Sequence, residues 1–241
     1  MSLVTRLRTP SLWTLALFFK GENDNAPPPG QGNRRSADGE PFLRLPPATA
    51  FLCAVIVGLY GLMSFLSNPA LTVELYYRFG FIPGVYTGAF PLEWNAFTSP
   101  FTYIFLHGSW LHVAMNVGML LAFGAGVERW IGSVRMALFF LICGALAAFF
   151  QFLFTPGSTL PIIGASGALS GLFGGALVMM QRSGALGTGP RGLLPLAAVW
   201  IGLSVVFGMM GGPDGSLIAW PAHIGGFVGG ILLVRYALSG R

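Results

Sequence analysis

An all-α bundle embedded in a lipid bilayer is the fold class that three features of this sequence predict. Of its residues 54% are hydrophobic and only 9% are charged, which leaves too little polar surface to cover a soluble domain of this size. The apolar residues gather into runs close to the roughly 20 that a helix needs to cross the hydrocarbon. Lys and Arg, finally, fall almost wholly on one side of the order that those runs impose.

Six runs qualify as spans: Ala48–Ser67, Leu111–Val127, Met136–Phe154, Ser166–Met180, Leu193–Gly211 and Ala222–Leu238,. With a cytoplasmic N-terminus, Arg6, Arg8, Lys20, Arg34, Arg35 and Arg44 lie inside together with Arg129, Arg135, Arg182, Arg191, Arg235 and Arg241, and Arg78 alone lies outside,. The basic balance is therefore a topology signal, with weak attraction to anionic inner-leaflet lipid as a by-product. It does not argue for nucleic-acid binding. Cys53 and Cys143 fall inside spans, where free Cys behaves as a small hydrophobe, so no disulfide framework is expected,. Three histidines without a Cys or carboxylate cluster make no metal pattern,.

Residues 1–47 are different material. A basic start with a short apolar run, Leu12–Phe19, leads into Gly21–Pro47, rich in Pro, Gly, Asn and charge, which reads as a cytoplasmic, largely disordered segment before a membrane domain at 48–241,. An interfacial helix or plain disorder suits the start better than a signal peptide, because Lys20-Gly21-Glu22-Asn23-Asp24 is a poor cleavage site,. Between the first two spans, Asn68–Trp110 is a long external segment whose aromatics suit headgroup depth,.

In this topology the second, fourth and sixth spans all open at the outer face. Their first residues carry the chemistry: His107, His112 and Asn116, then Ser166, then His223. The fourth span, about 22 Å long against a hydrocarbon thickness of roughly 30 Å, starts Ser166 below the surface. The linker Thr155–Ala165 must then dip inward, which is tolerated only where protein or a wet cavity satisfies its backbone. Gly226 and Gly230 share a helical face with His223, and Gly167, Gly171, Gly174 and Gly175 mark the fourth span, so the two backbones can approach until a hydroxyl meets an imidazole,. His112 and Asn116, four residues apart, offer donors to an oxyanion beside the Ser166 N–H,. Each signal alone has a plainer reading as helix packing, interfacial side chain or interhelical glue, and His107 as a partner of loop backbone. Coincidence at one depth favours function.

These residues closely resemble the rhomboid family of intramembrane serine proteases. The matching text is His107-Gly-Ser-Trp-Leu-His112-Val-Ala-Met-Asn116, Gly124-x-x-x-Glu128-x-x-x-Gly132-x-x-Arg135, Gly164-Ala-Ser166-Gly167, and Ala222-His223-x-x-Gly226-x-x-x-Gly230, over about Ala48 to Leu238. The resemblance implies a six-transmembrane-helix bundle and a Ser–His dyad without an acid, with Ser166 as nucleophile and His223 as general base. It also implies an oxyanion hole of His112, Asn116 and the Ser166 amide, no cofactor, and transmembrane proteins as substrates. The nearest external carboxylate, Asp214, sits in a Gly-Pro-Asp-Gly turn,. Glu128, Gly132 and Arg135 fall at the inner ends of the second and third helices, where Glu128 is expected to form an interfacial ion pair with Arg129 or Arg135.

Two departures from familiar members stand out. Ser170 replaces an aromatic four residues after the nucleophile, and Thr98-Ser99 replace a Trp-Arg pair in the external loop, leaving Trp94 and Phe101 as the expected loop contacts. A non-catalytic rhomboid-like binding or dislocation module is the alternative, although such proteins usually lack the Ser–His pair. A His-relay transporter predicts more carboxylates within the spans. The compact layout points to a bacterial cytoplasmic membrane.

Overall fold

The computed structural model describes residues 45–66, 68–186, 192–210 and 219–238. Residues 1–44 of the expected tail, Asp214, Ser67 and Gly211 lie outside the described residues. Helix α1 (Pro47–Leu66) starts on a proline, whose missing N–H costs nothing in a first turn,. Asn68 caps α2 (Pro69–Phe79) by accepting from the Leu71 N–H at 3.2 Å,. After a 3-10 turn at Pro83–Thr87 comes α3 (Asn95–Thr102), and a second 3-10 turn at Tyr103–Phe105 leads towards α4 (Trp110–Ile131). Ser109 caps α4, its hydroxyl accepting from the His112 N–H at 3.1 Å,.

Helix α4 widens into a π turn at Leu120–Gly124 before resuming as α-helix over Ala125–Ile131. Gly132, at φ 84°, ends it in a conformation open to glycine, and α5 (Ser133–Phe154) follows directly,. The remaining helices are α6 (Ser166–Arg182), α7 (Leu193–Met210) and α8 (Trp220–Leu238). Helix α6 buries residues on every side, among them Ala168, Leu169, Leu172 and Leu177, and contacts α4, α5, α7 and α8. A helix without a polar stripe belongs at the centre of a bundle.

Among the described residues α1, α4 and α5 are long and apolar enough to cross a bilayer, so the chain is an integral membrane protein of all-helical architecture. Helix ends differ from the expected ones by up to four residues. Helix α4 continues past Val127 to Ile131, α5 starts at Ser133 instead of Met136, and α6 runs on past Met180 to Arg182. In each case polar residues complete a turn that hydropathy alone leaves out. The 17 residues of α6 still reach only about 25 Å,.

One expected contact is corrected. Trp94 and Phe101 do not hold the segment between α1 and α4: both are exposed, and among the described residues the ring contacts of Trp94 are an edge contact with Phe79, at 6.4 Å, and the Arg78 guanidinium over its ring. Hydrogen bonds to main-chain carbonyls hold it instead, from Tyr86 to Ala96 O (2.6 Å), Thr102 to Phe79 O (2.7 Å) and Asn95 to Arg78 O (3.0 Å). Glu128 reaches further than its neighbours in sequence. Its buried carboxylate accepts from the Ala48 and Thr49 N–H groups (2.8 and 2.7 Å), the Thr49 hydroxyl (2.7 Å) and the Ser133 hydroxyl (2.6 Å).

The first turn of a helix carries unpaired N–H groups and the positive end of the dipole, so a carboxylate there caps α1 from a different helix. Glu128→Ala should therefore lower stability by about 3 kcal/mol, since it strands several buried donors. Glu128→Gln should lose less, because one acceptor oxygen remains. Thermal unfolding in detergent checks the order.

Candidate active site

Ser166 is the first residue of α6, where a backbone N–H has no acceptor within its own helix,. The turn before it depends on Gly164, which has φ 113° and donates its N–H to the Tyr103 carbonyl at 3.0 Å,. A Cβ at Gly164 would also lie 2.7 Å from Cε1 and Nε2 of His112. That glycine is thus required twice, for its backbone angle and for the imidazole lying against it.

His223 enters in the first turn of α8, and its Nε2 lies 2.8 Å from the Ser166 Oγ. Two backbones in contact bring the pair together. A Cβ on Gly226 would fall on the Gly167 carbonyl oxygen, and one on Gly230 on that of Gly171. Gln151 of α5 fixes the same end of α8, its Oε1 accepting from the Ala222 N–H at 3.2 Å while its Nε2 donates to Thr155 at 3.0 Å. Sequence reasoning passed over Gln151, and its one signal was a buried amide in an otherwise apolar run,.

The other site residues expected from the sequence gather unevenly. His112 is adjacent to the Ser166 turn through Gly164. Asn116 is buried, but its Nδ2 donates to the His112 carbonyl at 2.9 Å, one turn back along its own helix. His107 is fully buried, with Nδ1–H directed at the Phe105 carbonyl at 3.3 Å, as the loop-backbone reading expects. Its ring meets that of His112 edge-on, with centroids 5.0 Å apart. Desolvation, and secondarily the proximity of His112, push the His107 imidazole down to about 4, so it is neutral near pH 7,.

Ser170 does not replace the aromatic in function: its hydroxyl donates to the Ser166 carbonyl at 2.8 Å and stays within the helix,. The described carboxylates are Glu74, Glu93 and Glu128, and Glu128 is committed to α1. Among the described residues no cluster of three His, Cys, Asp or Glu could hold a metal. A hydroxyl held by an imidazole next to helix-start N–H groups can carry out acyl transfer, the imidazole taking the proton and the N–H groups receiving negative charge.

Known proteins resemble this chain over much of its helical part. The family description of a Rhomboid domain matches residues 94–240. The chain is 32% identical to the rhomboid protease GluP of Bacillus subtilis over 138 residues, which is 57% of this chain and 25% of that protein. It is 29% identical to the rhomboid protein YdcA of the same organism over 203 residues, 83% and 92% of the two chains. It also matches the Inactive RHOMBOID-like protein 8 of Arabidopsis thaliana, at 27% over 135 residues, 56% and 35% of the two. The chain spans about a third of the length of the first curated relatives it matches. With more than half of its length matched by one domain description, and with the expected motifs at the helix starts where they converge, the chain belongs to the rhomboid family.

Proposed function

We propose that this chain is an intramembrane serine protease that hydrolyses peptide bonds in, or next to, transmembrane segments of other membrane proteins. The observation that carries the reading is the 2.8 Å contact between the Ser166 Oγ and the His223 Nε2, made between two helix starts. Ser166 is the nucleophile and His223 the general base that takes its proton, later returning it to the leaving amine. The Ser166 N–H and His112 receive the oxyanion. Asn116 joins them once its amide leaves the His112 carbonyl, a rotation that costs one intrahelical hydrogen bond. A substrate helix must unwind locally, because its carbonyls are otherwise satisfied, so small or helix-breaking residues favour cleavage.

The same reading takes 48–241 as one six-span domain, with α6, α7 and α8 crossing beside the three longer helices. The N-terminus is cytoplasmic, as the arginine distribution supports,, and the compact layout favours a bacterial inner membrane. Two family members with opposite labels, a protease and an inactive protein, make the chemistry of the serine the deciding test. Purified protein treated with a fluorophosphonate should be modified at Ser166, as mass spectrometry of the peptide would report. Absence of labelling, together with binding of membrane proteins without cleavage, would return the chain to the non-catalytic module.

A further inference from the structure

The stretch that leads from α5 into Ser166 forms no regular element, yet it is tied along one side to the external segment. Thr87 donates to the Pro156 carbonyl at 2.9 Å and the Gly84 N–H to the Ser158 carbonyl at 2.8 Å. Phe81 and Ile162 then exchange two backbone hydrogen bonds, at 3.0 and 2.9 Å, and the Gly164 N–H donates to the Tyr103 carbonyl at 3.0 Å. Successive rungs thus approach the serine from the outside inward, and the last lies two residues from it.

Tyr103 also carries a side-chain hydrogen bond to α5. Its side chain is 1% exposed, and its hydroxyl donates to the Gly144 carbonyl of α5 at 2.8 Å. That carbonyl lies mid-helix, where an N–H four residues on already supplies a donor, so helix formation does not need the extra bond. The phenol oxygen would be 3.3 Å from a Cβ at Gly167, the residue after Ser166. Tyr103 therefore holds the Gly164 turn with its backbone, braces against α5 with its hydroxyl, and fills the space beside the glycine that follows the serine.

We infer that Tyr103 is a positioning residue for Ser166, and that the external segment acts through it as a clamp on the reacting group. The inference rests on the proteolytic reading above. A clamp fixes where the Oγ and the Ser166 N–H point. Loosening it lowers turnover without weakening substrate capture, since a displacement near 1 Å can cost on the order of 100-fold.

The test compares full-length wild type with Tyr103→Phe in the same proteoliposomes, using a labelled single-span substrate. Active sites are counted by fluorophosphonate stoichiometry, so that unfolded protein drops out of kcat. Tyr103→Phe should lower kcat per labelled site about tenfold or more, slow the labelling reaction in parallel and leave KM within about twofold. Unchanged kcat per site would overturn the inference, as would a loss confined to KM. If Tyr103→Phe does not fold, the decision passes to Thr87→Val at the exposed outer end of the ladder. Its kcat per site should fall about two- to fourfold, and an undiminished value would overturn the clamp. A wild type that neither cleaves nor labels would overturn the protease reading and the inference together.

Discussion

Ser166→Ala and His223→Ala should each reduce cleavage to background in reconstituted protein, and the double variant should be no worse than either alone. The two groups act as one unit, because the imidazole has no proton to take once the hydroxyl is gone, and an unassisted hydroxyl is a poor nucleophile. Losses of roughly 10⁴- to 10⁶-fold are expected for each, with non-additivity as the signature of shared work. Ser166→Ala removes a single oxygen at a first helical position, so its unfolding midpoint should stay close to that of wild type. Undiminished cleavage by either single variant would show that the 2.8 Å contact is not what performs the chemistry.

Gly226→Val is the second large effect. The Cβ of any residue there would fall on the Gly167 carbonyl oxygen, and backbone cannot swing aside as a side-chain tip can. Helices α6 and α8 would have to part by about an ångström or more to reach ordinary van der Waals contact. Gly167 follows Ser166 directly and Gly226 lies one turn beyond His223, so the same displacement would pull the dyad apart. The expected outcome is loss of cleavage together with a large fall in the unfolding midpoint, whereas Val at Gly202, whose Cβ position is open, should leave both nearly unchanged. Comparing the two variants separates a packing requirement from a general intolerance of β-branching in helices.

The sequence made the Ser166–His223 pair legible because its parts sit at two helix starts where hydropathy changes abruptly, and both observed starts lie within two residues of the expected ones. Helix α6 begins at Ser166 as expected, and the glycines that permit its approach to α8 repeat at helical intervals. Other features depend on partners far away in the chain. Glu128 meets Thr49 across 79 positions, a partner that neighbourhood in sequence does not suggest. Tyr103 looks like an ordinary member of an apolar run because its partners, Gly144 and Gly164, contribute only main-chain atoms, and the contact of Gln151 with Ala222 is likewise to the main chain. Main-chain acceptors and donors leave no residue-type signal. Asn116 is buried as a polar residue within an apolar run, but a side-chain amide can turn towards its own helix, and spacing alone does not choose between the two directions.

The π turn in α4 can be understood as a phase correction. Asn116, at the site, and Glu128, at the anchor on α1, are both buried. They are 12 positions apart, which on an unbroken α-helix would turn them roughly 120° away from each other,. Accommodating one extra residue in a wider turn removes about 100° of that difference, so both ends of the helix present their polar residue inward. A single deletion between Leu120 and Gly124 would let the helix run on as regular α-helix with its two polar residues still about 20° apart, whereas straightening the turn with every residue kept would set them about 120° apart, so that one or the other could be seated, but not both,.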